Sequence, residues 1–235
     1  MARLVPKHAW PLRLIHWLNV PILAVMIWSG LLIYWAYDPY RIEIAGTVWF
    51  KFFPDWFYSW LRLEFSLATG MAYHFTFAWF FALNGLAYVI YTFVSGHWRE
   101  LFPTLRTPID AFQVVLHDLG LRKEPLPPGK FNAAQKLAYT GIMVMGIGSV
   151  LTGLAIAKPT QLAWLTSLMG GYQFARMIHF ALTIGYVLFF FIHITQVIKA
   201  GWNNFRAMVA GFEIETQTET THVANQSTVP PTATR

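Results

Sequence analysis

Two histidines, His179 and His193, lie in the stretch RMIHFALTIGYVLFFFIHITQV, which runs from Arg176 to Val197 and is otherwise apolar enough for hydrocarbon. An imidazole there is costly unless it has a partner, so an intramembrane histidine is a candidate functional residue. On an α-helix the interval between the two turns through about 1400°, within about 40° of whole turns, and rises about 21 Å. The rings therefore share one face at two depths. Imidazole can ligate a metal or relay a proton, and the elements that carry it decide which.

Those elements belong in a membrane. The 235 residues are 56% hydrophobic and 17% aromatic with 12% charged, a balance foreign to a soluble domain. Four apolar stretches, approximately 12–37, 71–95, 137–157 and 174–198, match the roughly 20 helical residues needed to cross a hydrocarbon core. The expected fold is an all-α integral membrane protein, a four-transmembrane-helix bundle over residues 1–211, followed by a polar, Thr-rich tail over 212–235 that reads as disordered. The N-terminal apolar run is too long for a signal peptide and reads as a retained first span. The net charge of +6 is no sign of nucleic acid, because the cations gather on one set of loops and only Arg41, Lys51, Arg62, Lys158 and Arg176 fall on the other. That asymmetry puts both termini in the cytoplasm.

Chain direction then sets the depth of each histidine. Of the eight in the chain, His16, His74, His179 and His193 fall inside spans. His16 begins the first span and His193 ends the fourth, so both lie near the cytoplasmic side. His74 and His179 both begin spans on the opposite side. Two imidazoles facing each other at one depth are what a six-coordinate haem iron requires, one axial nitrogen on each side of the macrocycle. With both axial positions filled, the natural task is one-electron transfer. Cysteine is absent, which excludes covalent haem attachment and iron-sulfur ligation, so any haem is held non-covalently. Arg13 and Arg176 each precede a histidine by three, in RLIHW and RMIHF, and share its helix face. Each could reach a haem propionate or serve as a snorkelling anchor.

As a set these residues resemble the bacterial cytochrome b family: RxxHW in the first span, HF in the second, a histidine-free third span ending in LTGLA, and RxxHF with a second histidine in the fourth. The family includes membrane b subunits of nickel-iron hydrogenases, formate dehydrogenases and thiosulfate reductases, and the similarity runs from about Leu12 to Gly211. The resemblance implies two haem b groups, ligated by His16, His74, His179 and His193, that carry electrons between membrane quinone and a catalytic partner across the bacterial inner membrane. The phrase AGWNNFRAMVAGFE looks like members encoded with periplasmic molybdopterin oxidoreductases, so the expected partner is a periplasmic oxidoreductase subunit. His74 follows Met71 where other members place arginine.

Other readings compete. A self-sufficient cytochrome b quinol oxidoreductase would lack a copurifying partner. A haem-free transporter or proton channel would need ionisable residues through mid-membrane, where the spans offer little beyond Asn84. An all-protein metal site lacks acidic residues near the histidines. Gly141, Gly146, Gly148 and Gly153 of the third span suit close approach, either of a neighbouring helix or of a flat cofactor. The loop TVWFKFFPDWFYSWLRLEF reads as an interfacial aromatic belt or a docking surface. PIDAFQVVLHDLGL reads as a short interfacial helix. His97 is interfacial, and His117 beside Asp118 is a solvated loop residue or a proton exchanger at a quinone site.

Overall fold

The computed structural model of the chain describes residues 2–37, 40–124 and 131–216. In chain order the elements are β1 (Ala2–Pro6), α1 (Trp10–Tyr37), β2 (Arg41–Ile44), β3 (Thr47–Lys51), α2 (Asp55–Leu61), α3 (Leu67–Val94), α4 (Trp98–Leu101), α5 (Thr107–Asp118), α6 (Ala133–Ala157), α7 (Ala163–Leu168), α8 (Tyr172–Ala210) and β4 (Phe212–Thr216). The chain is mostly helical, and α1, α3, α6 and α8 are long and apolar enough to cross a membrane. With 28 residues each, α1 and α3 are about 42 Å long, more than a hydrocarbon core of about 30 Å requires. Few of their residues are buried by protein. Such helices satisfy their backbone internally and leave their apolar side chains for lipid.

The chain divides into two compact units, residues 17–187 and residues 1–16 with 188–235. In the first, small residues decide where helices meet. A Cβ on Gly70 would stand 2.6 Å from Cβ of Leu32 and 3.1 Å from the Ser29 carbonyl, so only glycine lets α3 lie on the backbone of α1. Farther along the same two helices, Asn84 donates to Asn19 at 3.4 Å, a polar bridge suited to a lipid setting. On α6, a Cβ at Gly148 would meet Leu182 of α8 at 3.2 Å. The start of α6 is fixed by a capping box, with Gln135 N–H donating to the Asn132 side chain at 2.8 Å and Asn132 N–H to the Gln135 side chain at 3.0 Å. The expected short helix after the second span is α5, which packs against α6.

The aromatic loop is more ordered than a belt needs to be. Strands β2 and β3 form an antiparallel hairpin whose turn residues Ala45 and Gly46 both have positive φ, the geometry that matches strand twist. Beyond it, α2 seats Tyr58 with Leu32 and Leu63 in a small core flanked by Trp35, Phe53 and Phe57. A second core joins Ala155, Leu165 and Ala175.

The other unit corrects one expectation. The stretch 212–235 reads as disordered, yet its first five residues form β4, paired antiparallel to β1 from Ala2↔Thr216 to Pro6↔Phe212. Three anchors explain the order. Asn203 brackets Ile214, donating to its carbonyl at 3.0 Å and accepting from its N–H at 2.9 Å. Lys7 pairs with Glu213 at 2.5 Å. Gly211, at φ 94°, makes the left-handed turn out of α8 while its carbonyl accepts from Lys7 N–H at 2.9 Å. Residues 217–235, with His222, lie outside the described residues. Gly201, at φ 78°, interrupts α8 one turn past the fourth span.

Candidate functional site

The four spans deliver the four histidines in two pairs. In the unit of residues 17–187, His74 of α3 faces His179 of α8 with ring centroids 6.2 Å apart and planes at 71°. In the other unit, His16 of α1 faces His193 of α8 at 6.0 Å and 56°. The pairing is the one that depth assigns, and α8 supplies one member to each pair. All four histidines are half-buried.

The separation can be tested against iron. An imidazole nitrogen binds a first-row metal at about 2 Å and its ring centre lies about 1 Å beyond, so two rings on opposite sides of one metal stand about 6 Å apart. Both pairs fit. Among the described residues, no group of three or more His, Asp or Glu side chains could hold a metal by itself. Two nitrogens are too few for an all-protein site, and they suit a metal whose remaining positions are filled by a macrocycle.

The His74–His179 pair sits in a ring of polar and small groups from all four spans. Ser29 Oγ of α1 lies 3.0 Å from His74 Nδ1 and Thr152 Oγ1 of α6 lies 2.9 Å from His179 Nδ1. A Cβ on Gly30 would stand 3.7 Å from His74 Cε1, and one on Gly153 would stand 3.5 Å from His179 Cε1. Of the four glycines of the third span, Gly153 therefore faces a histidine, Gly148 faces Leu182, Gly146 faces Tyr186, and Gly141 faces open space. Next to His179, Phe180 is stacked with Tyr34 at 5.0 Å and surrounded by Tyr40, Phe52 and Phe53, so the aromatic loop roofs this site.

The two arginines expected beside the histidines differ. Arg13 is half-buried, and its Nε is buried without a hydrogen-bond partner among the described residues. Gly211 lies against its guanidinium so closely that a Cβ there would fall 2.0 Å from Nη1. Arg206, which sequence reasoning missed, has the same buried Nε; it also donates to Asn203 Oδ1 and lies 5.8 Å from the Phe212 ring. Its signal was a cation at the end of the fourth span, one among several. Arg176 instead places its guanidinium 4.5 Å from the Tyr37 ring and 5.7 Å from that of Tyr172, a cation–π contact at the span boundary. His193 is stacked on Phe189 at 5.9 Å with planes at 7°. His97 contacts Ser95 and Tyr91 at the end of α3, while His117 is half-buried on α5 rather than in a solvated loop.

Comparison with known proteins agrees with this geometry. Residues 7–211 match the family model of prokaryotic cytochrome b561. A relative from Azospira oryzae, named "Putative protein-methionine-sulfoxide reductase subunit YedZ1", is 31% identical over 192 residues, covering 79% of this chain and 87% of the relative. A match across nearly the whole described chain, on a frame of four spans, makes this a membrane protein of the prokaryotic cytochrome b561 family, which carries electrons on haem b.

Proposed function

We propose that the chain holds two haem b groups, one between His16 and His193 and one between His74 and His179, and moves electrons between membrane quinone and a periplasmic oxidoreductase subunit. The observation that carries this reading is the pair of imidazole separations, 6.0 and 6.2 Å, each suited to one bis-histidine iron. Haem would supply reversible one-electron chemistry at iron, held by His16 with His193 and by His74 with His179. The protein's part is position, exclusion of water and nearby charge. Arg13, with its buried Nε, is placed to face a haem propionate at the His16–His193 site. Arg176, whose guanidinium lies against the rings of Tyr37 and Tyr172, takes the same part at the other site.

The partner reading rests on relatives. The Azospira oryzae protein is named a reductase subunit, which favours a chain that serves a catalytic partner over a self-contained quinol oxidoreductase. The resemblance of residues 200–213 to members encoded with periplasmic molybdopterin oxidoreductases gives that partner its class. The cation asymmetry supports a topology with both termini cytoplasmic, in the bacterial inner membrane. The test is a reduced-minus-oxidised spectrum of the detergent-purified protein with haem measured against protein. Sharp low-spin bands and two haems per chain are expected; a single haem would end the two-site reading, and none in a folded preparation would end it altogether.

A further inference from the structure

Two dipeptides in the C-terminal parts of α1 and α6 repeat one arrangement. Ser29-Gly30 on α1 lies against His74, and Thr152-Gly153 on α6 lies against His179. In each, the hydroxyl meets Nδ1 and the following glycine faces Cε1, the ring atom between the two nitrogens. Both hydroxyl residues are sealed, with Ser29 at 0% and Thr152 at 1% exposure.

The hydroxyl has one proton, and both helices claim it. Ser29 Oγ donates to the Met26 carbonyl at 3.2 Å, and Thr152 Oγ1 donates to the Gly148 carbonyl at 2.7 Å, the usual back-bond of a hydroxyl within a helix. Toward the imidazole each oxygen can then only accept. With the hydroxyl proton on the helix carbonyl, each ring carries its own proton on Nδ1, which leaves the Nε2 lone pair for a metal.

We infer that Ser29 and Thr152 are positioning residues for the His74–His179 site: they fix both imidazoles as Nδ1–H tautomers and set the electron density at Nε2, while Gly30 and Gly153 keep the Cε1 edge clear for a flat macrocycle. The inference rests on the haem reading above. A hydrogen bond accepted from a ligating imidazole raises its basicity, and a more basic ligand favours ferric over ferrous iron. Loss of the bond must raise the reduction potential of that haem alone.

The experiment compares wild type with Ser29→Ala, Thr152→Val and the double variant, in purified full-length protein. Potentials come from optical redox titration, and the ferric ligand field from electron paramagnetic resonance. The double variant is expected to keep two haems per chain and to shift the ferrous-to-ferric ratio of one haem about tenfold toward ferrous, about 59 mV for one electron, with a changed ferric signal. The second haem stays in place. Ser29→Thr and Thr152→Ser, which keep the hydroxyl, should restore both readouts. If haem content is intact and neither potential moves, or both move together, the positioning role is wrong while the haem reading stands. If the alanine and valine variants lose one haem and the hydroxyl-keeping variants retain it, the role is supported; loss in both classes overturns it. Absence of haem from wild type would overturn the parent reading instead.

Discussion

The two histidine pairs share ligand type and ring separation but not surroundings. Around His74 and His179 the neighbours are neutral: two sealed hydroxyls, two glycines and an aromatic roof. Beside His16 and His193 stand the ring of Phe189 and, three residues before His16 on α1, Arg13 with its buried Nε. On the two-haem proposal, the first environment would act through the ligands, by accepting hydrogen bonds from them and enriching the nitrogen that faces iron, and the second through space, since a cation favours the less positive ferrous iron. Two pairs of one ligand type would then carry opposite biases, and their haems different potentials.

The strongest way to break the comparison is to remove one member of each pair. His193→Ala and His16→Ala are each expected to take the haem-to-protein ratio from two to one and leave the same haem behind, while His179→Ala and His74→Ala leave the other. Survivors grouped in any other way, judged by redox titration of the four variants, would sink the pairing itself.

A smaller effect tests the cationic side. Gly211→Ala puts a methyl where Arg13 Nη1 now lies and imposes a left-handed φ, with strain of about 1–3 kcal/mol, so Arg13 must move. Arg13→Gln removes the charge without that strain. Both are expected to lower the potential of the His16–His193 haem, the opposite direction from loss of the Ser29 and Thr152 hydroxyls. A rise in either variant, by titration, would show that the guanidinium does not act on that iron.

The smallest effect concerns the two-stranded clasp of β1 and β4. Asn203→Ala deletes two hydrogen bonds to Ile214, together about 1–3 kcal/mol. Faster proteolysis near β4 in detergent is expected, with both haems kept. Unchanged cleavage kinetics would mean that strand pairing alone holds the segment.

What could be read from residues alone follows the range of the forces involved. Span positions follow from hydropathy, and the histidine pairs from chain direction and helical rise, because each needs only one helix at a time. The partners of those histidines were hidden. Ser29 and Thr152 look like any small polar residue in a span until the rotation of α1 against α3, and of α6 against α8, is known. Arg176 fits the RxxH phrase as well as Arg13 does, but the phrase gives no sign of the Tyr37 ring that its guanidinium lies against. Strand β4 reads as tail because FEIET alternates over too few residues to signal a strand without its mate, and that mate lies near the N-terminus.

That distance shapes how the molecule is made. Lys7 and Glu213, which close the clasp, are 206 residues apart. At a synthesis rate of about 5–20 residues per second, the N-terminal strand waits about 10–40 s for its partner. During that wait every span is completed while the edge of β1 stays open and Gly211 has yet to reach Arg13. The clasp therefore cannot close until all four spans have been made, and a chain stopped a few residues short of β4 would contain all four histidines but lack the turn that lies against Arg13.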